Sequence, residues 1–167
     1  MTMFKRSGLA IVILSLALIS IASSTHADTW KEATEAFGRK QYETAMKLMR
    51  PLAEKGHAAA QYQVALMHKM GLGASKGEKE ARKWSRLAAK QGNTQAQLLL
   101  GSLYYAKEGS ESPELVKAYM WYEVAAAQGN PEAQKEVATI GKEVTPQQLA
   151  DAQAKCKASN YEKCDGD

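Results

Sequence analysis

Long apolar runs are scarce in this sequence. The one candidate, Leu9 to Ala22, spans 14 residues and is interrupted by Ser15 and Ser20, whereas a helix that crosses a bilayer needs about 20. Lys5 and Arg6 stand before it and Thr25-His26-Ala27 after it, which completes the three parts of an export signal: a positive start, a short apolar stretch and small residues at a cut. Cleavage after Ala27 is therefore expected, so that residues 1–27 form a signal peptide. The mature chain would be periplasmic or secreted with no stable membrane insertion, and retention as an anchor is the alternative. Cysteine is also nearly absent, with Cys156 and Cys164 alone. That excludes a C-x-x-C redox motif and a cysteine-rich zinc site, and no cysteine near the cut offers a lipid attachment point. Of three histidines only His57 and His68 follow the cut. Neither is paired with a Ser or Cys nucleophile in a recognisable motif, so no catalytic residue, metal or cofactor is assigned. Excess charge is small as well: the 22 basic and 18 acidic residues give +4, and removal of Lys5 and Arg6 leaves 20 against 18. The charges are interspersed, unlike the basic stripe of a nucleic-acid binder.

What the sequence does have is a repeat, the first thing to look for in such a chain. Ala45, Ala81 and Ala118 are separated by 36 and then 37 residues. The same intervals relate Leu48, Trp84 and Trp121; Ala53, Ala89 and Ala126; Gly56, Gly92 and Gly129; and the dipeptides Ala60-Gln61, Ala96-Gln97 and Ala133-Gln134. Within a unit Ala60, Val64, Ala65 and His68 lie at helical spacing, as do Ala96, Leu100, Gly101 and Tyr104. Loops follow at Gly71 to Gly77 and at Gly109 to Pro113, where Ser112 can cap a helix opening at Pro113. The next helix carries Ala81, Trp84, Ala88 and Ala89 and stops near Gly92, a residue suited to the left-handed conformation at a helix end. Neither helix can bury its apolar stripe alone, but stacked pairs share one core.

At these residues the chain resembles the Sel-1-like repeat family, relatives of the tetratricopeptide repeats. The family pattern A-x-A-Q-x-x-L-G-x-x-Y, then G-x-G, then K-A-x-x-W-x-x-x-A-A-x-Q-G, is matched from Ala58 to Gly92 and from Asn93 to Gly129. Departures are Ala65 and His68 in place of Gly and Tyr, Glu80 in place of Lys, and a lost loop Gly at Lys107 or Glu108. The resemblance implies an all-α, right-handed α-solenoid of stacked helix pairs. Residues 28–56 would form a tetratricopeptide-like N-terminal cap, 57–92 and 93–129 the full repeats, and 130–167 a partial repeat, a capping helix and a tail. Thr145-Pro146-Gln147-Gln148 is a capping box with Pro at the first helical position, opening that last helix near Pro146. In an exported protein Cys156 and Cys164 are expected to form a disulfide pinning the tail near Tyr161, worth about 2 to 3 kcal/mol on the chain-entropy model.

Met67, His68 and Met70 are ligand types suited to copper. His68, however, occupies the column of Tyr104, which marks a packing residue, and Met commonly fills irregular core space. For function the resemblance implies partner binding on the inner face of the superhelix, lined by the first helix of each pair. Those positions are Tyr62, Leu66 and Lys69, then Leu98, Ser102 and Tyr105, then Lys135 and Thr139. Tyr and exposed Leu beside Lys suit anchoring and steering of a protein or peptide, although Leu66 and Leu98 pack equally well between helices. The expectation is a monomeric exported adaptor of the cell envelope with a protein or peptide partner. The alternatives are an envelope-acting enzyme or inhibitor of β-lactam or peptidoglycan chemistry, or a structural subunit of an envelope complex. Cysteine-rich relatives linked to β-lactams carry a disulfide in every repeat, and this chain does not.

Overall fold

The computed structural model describes residues 27–105 and 113–158. The expected export signal up to residue 26, the loop with Ser112, the Cys156 side chain and the tail with Cys164 lie outside them. Among the described residues eight helices follow one another: α1 (27–38), α2 (Tyr42–Glu54), α3 (Ala58–Met70), α4 (Glu78–Lys90), α5 (Thr94–Tyr105), α6 (Pro113–Ala127), α7 (Pro131–Ile140) and α8 (Pro146–Ala158). Among the described residues there is no strand. Each helix from α2 to α6 packs on the next, α3 also reaches α5, and α8 returns to α6. This is the order of an α-solenoid of helix pairs with a closing helix.

The repeat columns explain how one pair hands over to the next. Gly56, Gly92 and Gly129 adopt φ of 91°, 84° and 84°, a left-handed conformation that costs a residue with Cβ roughly 1–2 kcal/mol. Each lets the chain close a pair of hydrogen bonds onto the finished helix. The Gly56, Gly92 and Gly129 N–H groups bond to the carbonyls of Ala53, Ala89 and Ala126, while those of His57, Asn93 and Asn130 bond to Leu52, Ala88 and Ala125. This is the Schellman arrangement, which satisfies the last orphan carbonyls. The very next residue caps the following helix: His57 Nδ1, Asn93 Oδ1 and Asn130 Oδ1 accept from the N–H of Ala60, Ala96 and Ala133 at 3.2, 2.8 and 2.9 Å.

The Ala-Gln dipeptide has an equally specific task. Ala60, Ala96 and Ala133 are fully buried, so backbones approach closely there. Gln61, Gln97 and Gln134 each donate from Nε2 to the carbonyl of Ala53, Ala89 or Ala126 in the preceding helix. Gln91 then donates to Gln61 Oε1 at 2.7 Å and Gln128 to Gln97 Oε1 at 2.9 Å. A ladder of amides thereby ties each pair to its neighbour. Buried polar groups without partners are costly, and here the column residues supply each other.

Apolar packing divides into two clusters that meet on α5. Ala33, Ala45, Met49, Val64, Met67 and Trp84 belong to one cluster, with Leu99 and Leu103 of α5. Leu100 and Tyr104 of the same helix join Ala118, Trp121, Ala125, Ala133 and Ile140 in the other. Trp84 and Trp121 are 5% and 2% exposed in corresponding helices, where they fill the space that the small Ala columns leave. The closing helix has its capping box: the Gln148 N–H donates to Thr145 Oγ1 at 3.3 Å and Gln148 Oε1 accepts from the Thr145 N–H at 2.9 Å. Leu149 then packs on the second cluster.

Candidate protein-binding face

The first helices α3, α5 and α7 present the residues singled out from sequence. Tyr62 is half-buried and packs against both clusters, Leu66 leans on the first and Leu98 on the second. Tyr105, at the end of α5, is 41% exposed. Lys135 and Thr139 are exposed on α7, where Thr139 Oγ1 donates to the Lys135 carbonyl at 3.0 Å. Lys69 and Ser102 are brought together across two repeats: Lys69 Nζ donates to Ser102 Oγ at 3.0 Å, and that hydroxyl donates to the Leu99 carbonyl at 2.8 Å. The lysine therefore ties α3 to α5 along this face.

Sequence reasoning missed three residues here. Tyr122, on α6, is 3% exposed, and its ring crosses α5 at Gly101, where a Cβ would stand 2.8 Å from Cδ1 and from Cε1. Burial raises its phenol well above the ordinary tyrosine value, and the carboxylates of Glu136 and Glu132, with Tyr105, push it further. Tyr62 is raised too, by burial first and then by Glu132. Glu132 thus acts on tyrosines of α3 and α6, and Glu136 on that of α6. The signal in the sequence was Gly101 opposite an aromatic column, but a Tyr beside Trp121 reads as core until its neighbours are known.

The histidines stand elsewhere. His57 is the helix cap described above, with the Trp30 ring 4.9 Å from its centroid. His68 is buried and its Nδ1 lies 3.3 Å from the Ser75 carbonyl, closing the Gly71–Gly77 loop. Met67 is fully buried while Met70 is exposed, so the Met67-His68-Met70 run does not share one environment. In that loop Gly73 has φ of 64°, and a Cβ there would fall 2.2 Å from the Tyr42 carbonyl oxygen. Only glycine permits that approach of the loop to α2.

Stacked helix pairs joined by these turns define a helical-repeat protein. The Sel1 repeat model matches residues 36–57, 58–93 and 94–130, and the chain belongs to the Sel1 repeat family. Sel1 repeat proteins are generally protein-interaction scaffolds, and the fold is typically non-enzymatic. A protective antigen of uropathogenic Escherichia coli strains, displaying an SLR fold, superposes with a TM-score of 0.69 and 26% identity over 77% of this chain and 28% of that one. The chain thus spans under a third of the antigen's length. A Sel1 repeat protein from Oxalobacter formigenes gives a TM-score of 0.59 and 30% identity, covering 74% of this chain and 96% of that one. No curated protein matches the chain. Among the described residues no helix is long and apolar enough to cross a membrane.

Proposed function

We propose that the protein is an exported adaptor of the cell envelope that binds a protein or peptide segment along α3, α5 and α7. The observation that carries this reading is the chemistry of that face, where Tyr62, Leu66 and Leu98 are partly accessible although they border the core, and Tyr105 is exposed. Rigid aromatics with apolar neighbours make good anchors because they offer large area at low entropic cost. The Lys69 to Ser102 bond holds two successive repeats in register beneath them. Export rests on the sequence of residues 1–27, and a Cys156–Cys164 disulfide belongs to the same proposal.

A photo-crosslinking residue placed at Tyr105 in living cells should trap a discrete adduct, and one placed at Leu87 on α4 should not. Tyr62→Ala should abolish the adduct at 105. Identical adducts at both positions would sink the inner-face reading. Export has its own test, since protein recovered from the envelope should begin at Asp28 and expose thiols to alkylation only after reduction.

A further inference from the structure

The repeat columns account for the fold, so accessible residues that depart from them call for another reason. Arg82 and Arg86 on α4 are such a case: one period earlier α2 has Met46 and Arg50, and one period later α6 has Tyr119 and Glu123. Only α4 carries a basic pair at these positions. From Glu78 to Lys90 that helix holds five basic and two acidic residues. Its excess is larger than that of the whole chain beyond residue 27, where 20 basic residues stand against 18 acidic ones.

The cations are also organised in space. Arg86 Nη2 donates to the Tyr104 hydroxyl at 2.9 Å. The Arg82 guanidinium carbon stands 5.3 Å from the centre of the Tyr104 ring, and Lys117 Nζ reaches the same ring from α6 at 5.6 Å. Tyr104 itself is buried, so it is a platform that holds the cations and not a surface for a partner. A cleft lined by Glu78, Lys79, Arg82, Lys83 and Arg86 opens along α4. Glu78 pairs with Arg82 and Glu80 with Lys83, whereas Lys79 and Lys117 are in no ion pair among the described residues. The Glu78 side chain is 57% exposed, and such a pair is weak enough for another carboxylate to compete with it.

We infer that α4 docks an extended acidic segment of a partner protein, with carboxylates two residues apart set against Arg82 and Arg86 and with Lys79 and Lys117 as flanking charges. Residues four apart on a helix share a face and are separated by a rise of about 6 Å. Alternate side chains of an extended chain recur every 6.5 Å or so, roughly the same interval, so the two periods agree over this pair. Each guanidinium can fork onto a carboxylate with two parallel hydrogen bonds. A nucleic acid fits less well, because Glu78 and Glu80 interrupt the row where a polyanion needs continuous positive potential. This surface is separate from the face on α3, α5 and α7. Leu87 projects about 100° round the helix from Arg86, on the side away from Arg82.

The test titrates fluorescein-labelled synthetic dodecapeptides against the full protein and reads anisotropy. One peptide carries glutamate at alternate positions, another the same number of glutamates at every third position, and another lysines in place of the alternate glutamates. A single-stranded oligothymidylate of equal length is the polyanion control. The alternating acidic peptide should bind about tenfold more tightly than the other three probes, and added salt should weaken it. Arg82→Gln should loosen it about tenfold. Lys79→Gln should also loosen it, whereas Glu78→Gln removes the internal competitor and should tighten it. Both of these side chains are exposed, so the opposite shifts remain readable if Arg82→Gln fails to fold. Tyr62→Ala and Tyr105→Ala should leave the affinity unchanged. The inference is overturned if the alternating peptide shows no advantage over the other probes, if it does not bind up to about 1 mM, or if Glu78→Gln fails to strengthen binding. A loss of binding in Tyr105→Ala overturns it as well, and assigns the acidic segment to the inner face instead.

Discussion

The two full repeats share every column that builds the turn and the amide ladder, yet they fill one helix crossing in opposite ways. In the α3/α4 pair the positions are Ala65 and Ser85, both fully buried, and the Ser85 hydroxyl has no hydrogen-bond partner there. In the α5/α6 pair they are Gly101 and Tyr122, with the ring pressed where a Cβ would be. Removing one methyl on α5 admits a whole phenol from α6. The first pair closes its crossing with small groups, whereas the second fills it with an aromatic ring. Columns under the same constraint in every unit make the solenoid, and a column free to exchange volume between partners lets each crossing be filled in its own way.

Tyr122→Ser, which gives the second repeat the first one's residue, is the most damaging exchange expected. It removes a buried ring and leaves a cavity, costing about 3–5 kcal/mol. Urea titration measures it, and a loss under about 1 kcal/mol would mean that the ring is not part of the core. The reverse graft, Ser85→Tyr, forces a ring against Ala65 and should cost about 1–3 kcal/mol. Ala65→Gly alone weakens the helix by about 1 kcal/mol, yet in the double variant it should recover part of the Ser85→Tyr loss. Strict additivity of the two costs would show that these positions do not determine each other.

The solenoid was legible because a repeat states each constraint several times. Ala81 with Ala118, Trp84 with Trp121 and the three turn glycines all carry the same burial or the same φ in each unit. The capping box at Thr145 was legible for a different reason, since both of its hydrogen bonds lie within four residues. The partner of each ladder glutamine could not be read, because it is a carbonyl eight residues back across the turn. His57 shares a column with Asn93 and Asn130, so its capping role was available from the alignment but was hidden by the different residue type. The site was harder. Leu66 and Leu98 are half-buried, and helical periodicity does not separate two adjacent apolar faces. Tyr122, Glu132 and Glu136 come from two helices, and only packing reveals that they lie close together.

The same tyrosine sharpens the comparison at high pH. Burial, Glu136 and Glu132 favour its neutral form, so its folded pKa lies above the ordinary 10.0. The stabilisation is fully present below that ordinary value. As pH rises beyond it, the unfolded chain releases the proton first and folding weakens. Tyr62 and Tyr119, raised by burial with Glu132 and Glu123 respectively, act in the same direction. Tyr122→Phe keeps the ring and removes one such group, so its melting temperature should fall by about 2–4 °C less than that of the parent between about pH 9 and 11. Parallel pH profiles would place the phenol in contact with solvent.

The smallest effect concerns the turns that open the repeats. Asn93 and Asn130 cap α5 and α7 at 2.8 and 2.9 Å, whereas His57 caps α3 at 3.2 Å. Asn ranks among the best capping residues, and replacing a cap with Ala costs about 1 kcal/mol. His57→Ala should therefore lose about that much. His57→Asn restores the shorter bond but gives up the ring contact with Trp30, a pair worth about 0.5–1.5 kcal/mol where two aromatic rings meet. The two terms nearly cancel, and a change within about 0.5 kcal/mol is expected in the parent. In a Trp30→Ala background the aromatic loss has already been taken, so His57→Asn should there become stabilising by a few tenths of a kcal/mol, about the gap between good and fair caps. If the sign does not change between the two backgrounds, His57 holds α3 through its cap alone, and the first helix pair is attached to the repeats without help from that ring contact.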